Sequence, residues 1–232
     1  EGRVARHPMT FDAFMGSREA QVRYWARSFI GWNRIAEAQP NRGHFAIAQA
    51  ESLGRIFQTI TQNVDQLHQK AGAKNVIDLH GRLDQVRCMA CGIIFSRIDM
   101  DLLLAQLNPS IDRSGNFEFT PDGDAEVEAA ENFAIPACPS CGGVLKPDVV
   151  FFGESVPSAT VELAMKRLDE ADALLVAGTS LTVNSGLRFA RRAARSNKPI
   201  VIVNIGQTKA DELATAKIEA NTSLVLERLL VD

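Results

Sequence analysis

Long apolar runs are missing from this 232-residue chain. None approaches the roughly 18 residues of a membrane-crossing helix, so a membrane-spanning protein is not expected. Strong charge of either sign is also missing. Lys and Arg number 25 against 28 Asp and Glu, a net charge of −3, so bulk electrostatics offers no grip on nucleic acid. No internal repeat, low-complexity tract or G-x-G-x-x-G is found, which excludes solenoids, disordered chains and the plain dinucleotide fingerprint. No Met stands at position 1, so the true start is expected upstream of Glu1, and no targeting segment is read.

What is present is ordinary for a folded soluble domain: 46% hydrophobic and 23% charged residues. Only the charge distribution is uneven. Between Asp99 and Ile135 nine acids (Asp99, Asp101, Asp112, Glu118, Asp122, Asp124, Glu126, Glu128, Glu131) face one base, Arg113. That segment carries −8 and leaves +5 on the rest, a mildly basic body suited to an anionic small ligand.

Apolar periodicity predicts helices over Phe11–Met15 and Gln21–Ile30, punctuated by Gly31 and Pro40. A further helix is predicted over His44–Leu53, burying Phe45, Ile47, Ala48 and Leu53. Ile56–Ile60 and Val76–Leu79 read as short strands, and Val149–Phe152 as an apolar extended run. Thr160–Leu168 reads as a helix with Val161, Ala164, Met165 and Leu168 inward, and Ser185–Arg195, Leu213–Ala220 and Leu224–Leu230 as helices. Ala173–Ala177 (ALLVA) and Ile200–Val203 (IVIV) are continuous apolar strands. Such strands alternating with helices predict an α/β fold, a Rossmann-like parallel sheet with helices on both faces, plus a smaller zinc-ribbon and helical module. The expected division is a helical segment of the small module at 1–43, the main domain at 44–85 and 144–232, and an inserted cysteine module at 86–143.

The chain has four cysteines. Cys88-x-x-Cys91 is followed, after 46 residues, by Cys138-x-x-Cys141, each pair trailed by Gly (Gly92; Gly142 and Gly143). Two such hairpins predict a closed tetrahedral zinc site without an open position for water, hence a structural metal. Two disulfides or a redox dithiol are the alternatives.

Chemistry-bearing residues gather just past the strands, where ligands of open α/β sheets sit. Gln62, Asn63, Val64 and Asp65 follow Ile56–Ile60. Asn63 and Asp65 suit a carboxamide, with a turn or helix cap as the alternative. His80 closes Val76–Gly81 beside a glycine expected to let a ligand approach. It is the candidate general base among four histidines (His7, His44, His68, His80), with a structural role as the alternative. Gly178, Thr179 and Ser180 follow ALLVA, and Asn204, Ile205 and Gly206 follow IVIV. Both loops suit phosphate or ribose. Lys146–Glu154 reads as an extended segment able to pair with a peptide, or else as a core strand.

Together TQNVDQLH (61–68), LHG (79–81), the cysteine pairs, KPDVVFFGE (146–154), AGTSLTV (177–183) and VNIG (203–206) resemble the sirtuins, NAD-dependent protein deacylases. Order and spacing match across about residues 44–206, and residues 22–32, Gln39–Asn41 and Thr120–Asp124 look most like the class II, sirtuin-four type. The family's opening strand with its Gly-Ala-Gly loop, and the Gly-Ile-Pro-Asp-aromatic-Arg segment after it, are expected to lie just upstream of Glu1.

The resemblance implies NAD and one structural zinc. It implies acyl-lysine substrates and transfer of the acyl group to ADP-ribose, releasing nicotinamide and free lysine. His80 would be the base and Asn63 would assist it. Asn63, Val64 and Asp65 would line the nicotinamide pocket, with Gln62 near the ribose. Gly178, Thr179 and Ser180 would hold phosphate and ribose, Asn204, Ile205 and Gly206 the adenosine, and Thr222 would lie by the adenine. Val150, Phe152, Gly153 and Glu154 would flank the acyl-lysine peptide. Tyr24 and Arg27, three apart on a helix, resemble the pair with which class III members bind acidic acyl groups.

A protein mono-ADP-ribosyltransferase on the same NAD site is the alternative activity. A zinc-ribbon nucleic-acid module lacks support, because Phe117, Phe119 and Phe133 are not interleaved with bases. A monomer is expected, with neither nucleic acid nor membrane as partner, in the cytoplasm if bacterial and otherwise in the mitochondrial matrix. The acidic segment, with Gly115 and Gly123, is read as a mobile lid near the acyl channel.

Overall fold

The computed structural model describes residues 8–113 and 132–230. In chain order the elements begin with α1 (Phe11–Gly16), α2 (Arg18–Glu37), α3 (Arg42–Ser52), β1 (Thr59–Thr61), α4 (Leu67–Lys70), β2 (Val76–Asp78), β3 (Gly81–Cys88), β4 (Ile94–Ser96) and α5 (Arg97–Leu107). They continue with β5 (Leu145–Val149), α6 (Ser158–Glu170), β6 (Leu174–Ala177), α7 (Asn184–Arg195), β7 (Ile200–Val203), a 3₁₀ turn (Asp211–Leu213), β8 (Ala216–Ile218) and α8 (Thr222–Leu230). Most of the acidic segment, with Gly115, Gly123 and Thr120–Asp124, lies outside the described residues.

The chain forms two compact units. The larger holds Gln39–His80 and Val156–Asp232. Its strands pair in parallel, β1 with β2 and, in a second ladder, β6–β7–β8 with β7 central. The apolar runs explain the core: Ile200 and Ile202 are fully buried with Val176, against Ala164 and Leu168 of α6, Phe189, Ala190 and Ala193 of α7, and Ile77 and Leu79. Of the inward face expected for α6, Ala164 and Leu168 are buried, Met165 packs partly buried against the core, and Val161 is half-exposed.

Two expectations in this unit are corrected. On α3 the buried residues are Gly43, Ala46 and Ala50, whereas Phe45 and Leu53 are exposed. The small residues let the helix approach its neighbours, a face that hydrophobicity alone does not single out. Leu213–Ala220 is not a helix. Thr215 N–H donates to the Ile200 carbonyl at 2.8 Å and Ala216–Ile218 adds a strand to β7, so pairing overrides the helical propensity of Leu and Ala.

The smaller unit holds the chain through Ala38 and Gly81–Ser155. Its sheet is antiparallel, ordered β4–β3–β5. Because β3 and β5 pair here, residues 81–85 and 144–155 pack with this unit, whereas the sequence places them in the main domain. Helix α2 opens with Ser17, which caps the Ala20 N–H at 3.3 Å, and runs through Gly31 to Glu37 instead of stopping there. Trp25 is buried and donates to the Leu145 carbonyl at 3.0 Å. Arg97 is buried between rings, 4.6 Å from the Trp32 centroid and 5.5 Å from that of Trp25, with its charge met by Asp101 at 3.2 Å.

Candidate functional site

The register Thr61↔Asp78 aligns the carboxyl ends of β1 and β2. Leu79 N–H then donates to the Thr61 carbonyl at 2.9 Å, which brings His80 beside Gln62. His80 Nδ1 lies 3.1 Å from the Gln62 carbonyl oxygen, and Nε2 lies 2.8 Å from Ser185 Oγ. A carbonyl can only accept, so Nδ1 carries the proton and the neutral ring presents its lone pair at Nε2. Burial pushes this ring below the usual histidine range, against the pull of the Gln62 carbonyl.

Gln62 ties the loops together. Its Oε1 accepts from Thr179 Oγ1 at 3.2 Å, joining the end of β1 to the end of β6. Gly186 packs directly on it: a Cβ there would stand 2.7 Å from Gln62 Oε1. Gly178, at φ +65°, turns the chain out of β6 beside Thr222, whose hydroxyl is 3.5 Å from the Val203 carbonyl. Ser180 and Thr182 hydroxyls lie 3.2 Å apart, and the first turn of α7 carries no acid. Hydroxyls and main-chain donors beside an uncharged helix start fit a phosphate and ribose.

Past β7, Asn204 Nδ2 donates to the Ile205 carbonyl at 2.9 Å, Ile205 is 68% exposed, and Lys217 Nζ holds the Gly206 carbonyl at 3.0 Å. An exposed Ile at a strand end offers an apolar face to a purine. Asn63 is exposed, with its N–H on Thr61 Oγ1 at 3.1 Å. Asp65 Oδ1 accepts the Leu67 N–H at 3.0 Å across Gln66, the residue that caps α4, so the turn reading of Asp65 also holds. Val64 is half-buried between them.

The larger unit therefore brings Gln62, His80 and Thr179 into one bonded cluster and sets Gly178 beside Thr222. The sequence reading missed Ser185 and Gly186, having taken them only as the start of a helix. His44 and His68 meet edge-on at 4.8 Å, and burial, helped by the His44 ring, pushes His68 down to about 4. The basic body surfaces on α7, where Arg188, Arg191, Arg192 and Arg195, with Met165 of α6, line an open groove of about 480 Å³ that includes none of the predicted site residues.

The smaller unit carries the remaining candidates. The four cysteine sulfurs lie within 4.8 Å of one another, with Cys88–Cys141 at 3.5 Å and Cys91–Cys138 at 3.8 Å. A tetrahedron with metal–sulfur bonds of about 2.3 Å has edges of about 3.8 Å, so the donor set fits one zinc. The two turns match: Gly92 N–H bonds the Cys88 carbonyl at 3.0 Å and Gly142 N–H the Cys138 carbonyl at 2.8 Å. No site of three or more Cys, His, Asp or Glu ligands other than this one is found among the described residues.

Val150 is half-buried, Phe152 is 58% exposed and Gly153 is exposed, while the Phe152 carbonyl accepts the Phe11 N–H at 2.9 Å. Glu154 is engaged within the fold, accepting from Lys146 Nζ at 3.0 Å and from the Phe151 N–H at 2.9 Å. Tyr24 is buried in a ring cluster, 5.2 Å from Phe151 and 5.6 Å from Phe14, and Arg27 is half-exposed.

A model of the Sir2 family matches residues 3–185. A "NAD-dependent protein deacetylase" of Xanthomonas axonopodis pv. citri is 52% identical over 221 residues, covering 94% of this chain and 75% of the relative. "NAD-dependent protein deacetylase 2" of Bradyrhizobium diazoefficiens is 49% identical over 228 residues, covering 96% and 82%. Among solved structures, a Sir2–p53 peptide–NAD+ complex superposes with TM-score 0.77 at 28% identity, covering 99% of this chain and 83% of that one. Sir2Tm bound to a propionylated peptide gives TM-score 0.75 at 29% identity, covering 95% and 81%. The chain belongs to the Sir2 family and has its α/β fold. Among the described residues no helix is long and apolar enough to cross a membrane.

Proposed function

We propose that the chain is an NAD-dependent protein-lysine deacylase of the class II, sirtuin-four type. The observation that carries this reading is His80: a half-buried imidazole at a strand end, with Nδ1 fixed on the Gln62 carbonyl and Nε2 left as the basic atom. When bound, NAD would supply the ribose carbon that the acyl-lysine oxygen attacks as nicotinamide leaves. Nε2 would take the proton of a sugar hydroxyl, freeing that oxygen to bond the acyl carbon, and the Gln62 carbonyl would steady the imidazolium through Nδ1–H. Asn63, Val64 and Asp65 line the nicotinamide end. Gln62, Gly178, Thr179 and Ser180 hold ribose and phosphate. Asn204, Ile205, Gly206 and Thr222 hold the adenosine.

Val150, Phe152 and Gly153 flank the peptide, with the exposed Phe152 ring covering the lysine stem, and Glu154 braces this segment through Lys146 and the Phe151 N–H. Tyr24 and Arg27 read an acidic acyl chain, and equal or faster turnover of acetyl-lysine than of succinyl- or glutaryl-lysine peptides removes that part. The zinc is structural. The protein acts as a monomer, and its bacterial relatives favour the bacterial cytoplasm over the mitochondrial matrix.

The test is mass spectrometry of an acylated peptide with protein and NAD. Loss of the acyl mass with appearance of O-acyl-ADP-ribose is expected. Added ADP-ribose mass on protein would favour the transferase instead. His80→Ala should lower turnover by about 10²–10⁴-fold with zinc content and melting unchanged, and retained turnover would remove His80 from its role.

A further inference from the structure

The working atom of the base is already bonded. Nδ1–H is committed to the Gln62 carbonyl, so the 2.8 Å contact at Nε2 must be a hydrogen bond donated by the Ser185 hydroxyl to the imidazole lone pair. Ser185 is 8% exposed and sits in the first turn of α7, next to Gly186, whose backbone is pressed against Gln62. Both ring partners are thus held by one packed unit, with Gln62 supporting Nδ1 and α7 presenting the hydroxyl to Nε2. Burial lowers the pKa of His80 and the bond to the Gln62 carbonyl opposes it.

We propose that Ser185 is a positioning residue for His80, acting as a two-way partner of Nε2. With the ring neutral the hydroxyl donates to the lone pair and holds the imidazole plane. When Nε2 takes a proton from a sugar hydroxyl, the O–H bond of that sugar breaks and an N–H bond forms. The Ser185 hydroxyl turns and accepts from the new N–H. The imidazolium then has an acceptor at each nitrogen, Gln62 O and Ser185 Oγ, in a half-buried place where fixed partners replace part of the lost hydration.

A hydroxyl fits this part because it both donates and accepts; an alanine does neither. Bonds to an ionised partner are about twice as strong as neutral ones, so Ser185 stabilises the charged ring more than the neutral ring and raises the basicity of His80. Its kinetic consequences rest on the deacylase reading; its effect on the ring does not.

The experiment compares wild type with Ser185→Ala. First, the His80 ring is followed by NMR in the protein without NAD, its resonance identified by its absence in His80→Ala. In Ser185→Ala the midpoint of the titration should fall to lower pH, while the Nδ1 signal keeps its bonded position and the melting temperature stays within about 2 °C. Second, steady-state kinetics with an acetyl-lysine peptide should show kcat reduced about tenfold with KM for NAD within twofold, the pattern of a weaker base. A midpoint that stays or rises overturns the proposal, as does an unchanged kcat or a loss confined to KM. If wild type itself fails to deacylate, the deacylase reading falls, and the NMR result still decides whether Ser185 governs the ring.

Discussion

Gly81 stands directly after His80, and its substitution tests what that position is for. The sequence reading gave it to an approaching ligand. The structure gives it to a neighbouring strand: a Cβ on Gly81 would lie 2.0 Å from the Asp148 carbonyl oxygen and 3.0 Å from Val149 Cα, all main-chain atoms of β5. The strand cannot step aside, because Arg87 grips the Asp148 carboxylate with two bonds of 2.7 and 3.1 Å and Lys146 is tied to Glu154. Gly81 also has φ +81°, a conformation that costs other residues about 1–2 kcal/mol. Forcing a methyl against packed backbone adds about 1–3 kcal/mol. Gly81→Ala should therefore destabilise by about 2–5 kcal/mol, or about 4–20 °C in melting temperature for a chain of this size. Gly153→Ala is the control: φ is +83° but nothing lies within 4 Å of the added carbon, so only the conformational cost remains. Circular dichroism melts of both variants and wild type decide it. If Gly81→Ala melts within 2 °C of wild type, or no lower than Gly153→Ala, the strand-contact argument is wrong.

Metal analysis should find one zinc per chain. Chelation or Cys141→Ser should unfold the smaller unit, a loss on the order of 10 kcal/mol for small zinc modules, read as a separate early melting phase; metal-free protein with the melt of wild type would refute a structural zinc. His68 sets a pH limit. Its folded value of about 4 lies below the unfolded 6.5, so the unfolded chain binds the extra proton first and stability falls as pH drops from 6.5 toward 4. The loss is about 2 kcal/mol after allowing for partial exposure. Urea unfolding at pH 7 and pH 4.5 should show this fall shrinking in His68→Asn, and an identical fall in the variant would refute it.

The sequence disclosed whatever depends on local chemistry and hid whatever depends on distant partners. The cysteine spacing announces its tetrahedron because each hairpin is a local turn. The runs ALLVA and IVIV announce buried parallel strands because both faces must be apolar. The strand-end loops follow from those strands. Ser185 was illegible because its partner is His80, 105 residues away, and a serine opening a helix looks like a cap. Gly81 was assigned the wrong neighbour because nothing in the string says that β5 returns beside β3. On α3 Phe45 is exposed while Gly43, Ala46 and Ala50 are buried, so side-chain size, which depends on what packs opposite, chose the face.

Glu154 shows the same division between family pattern and local physics. The resemblance puts it beside the acyl-lysine peptide, yet its carboxylate is already occupied by Lys146 Nζ at 3.0 Å and the Phe151 N–H at 2.9 Å. The Lys146 side chain is 4% exposed and that of Glu154 21%. Burial pulls the Lys146 ammonium below its usual range, and Glu154 pulls it back. Removing one member of a buried pair strands the other, at about 3–5 kcal/mol, whereas replacing both by neutral groups is often close to free. Glu154→Gln keeps an acceptor for the Phe151 N–H but leaves the ammonium with the Pro147 and Val149 carbonyls and without its paired carboxylate, so it should destabilise by about 1–3 kcal/mol, less than full truncation. Adding Lys146→Met removes the stranded charge and fills its volume, and the double variant should return to within about 1 kcal/mol of wild type in urea unfolding. Losses that simply add would mean that the two residues do not act as a pair. Glu154 would then be free to serve the peptide directly, and its loss should raise the peptide KM without touching stability.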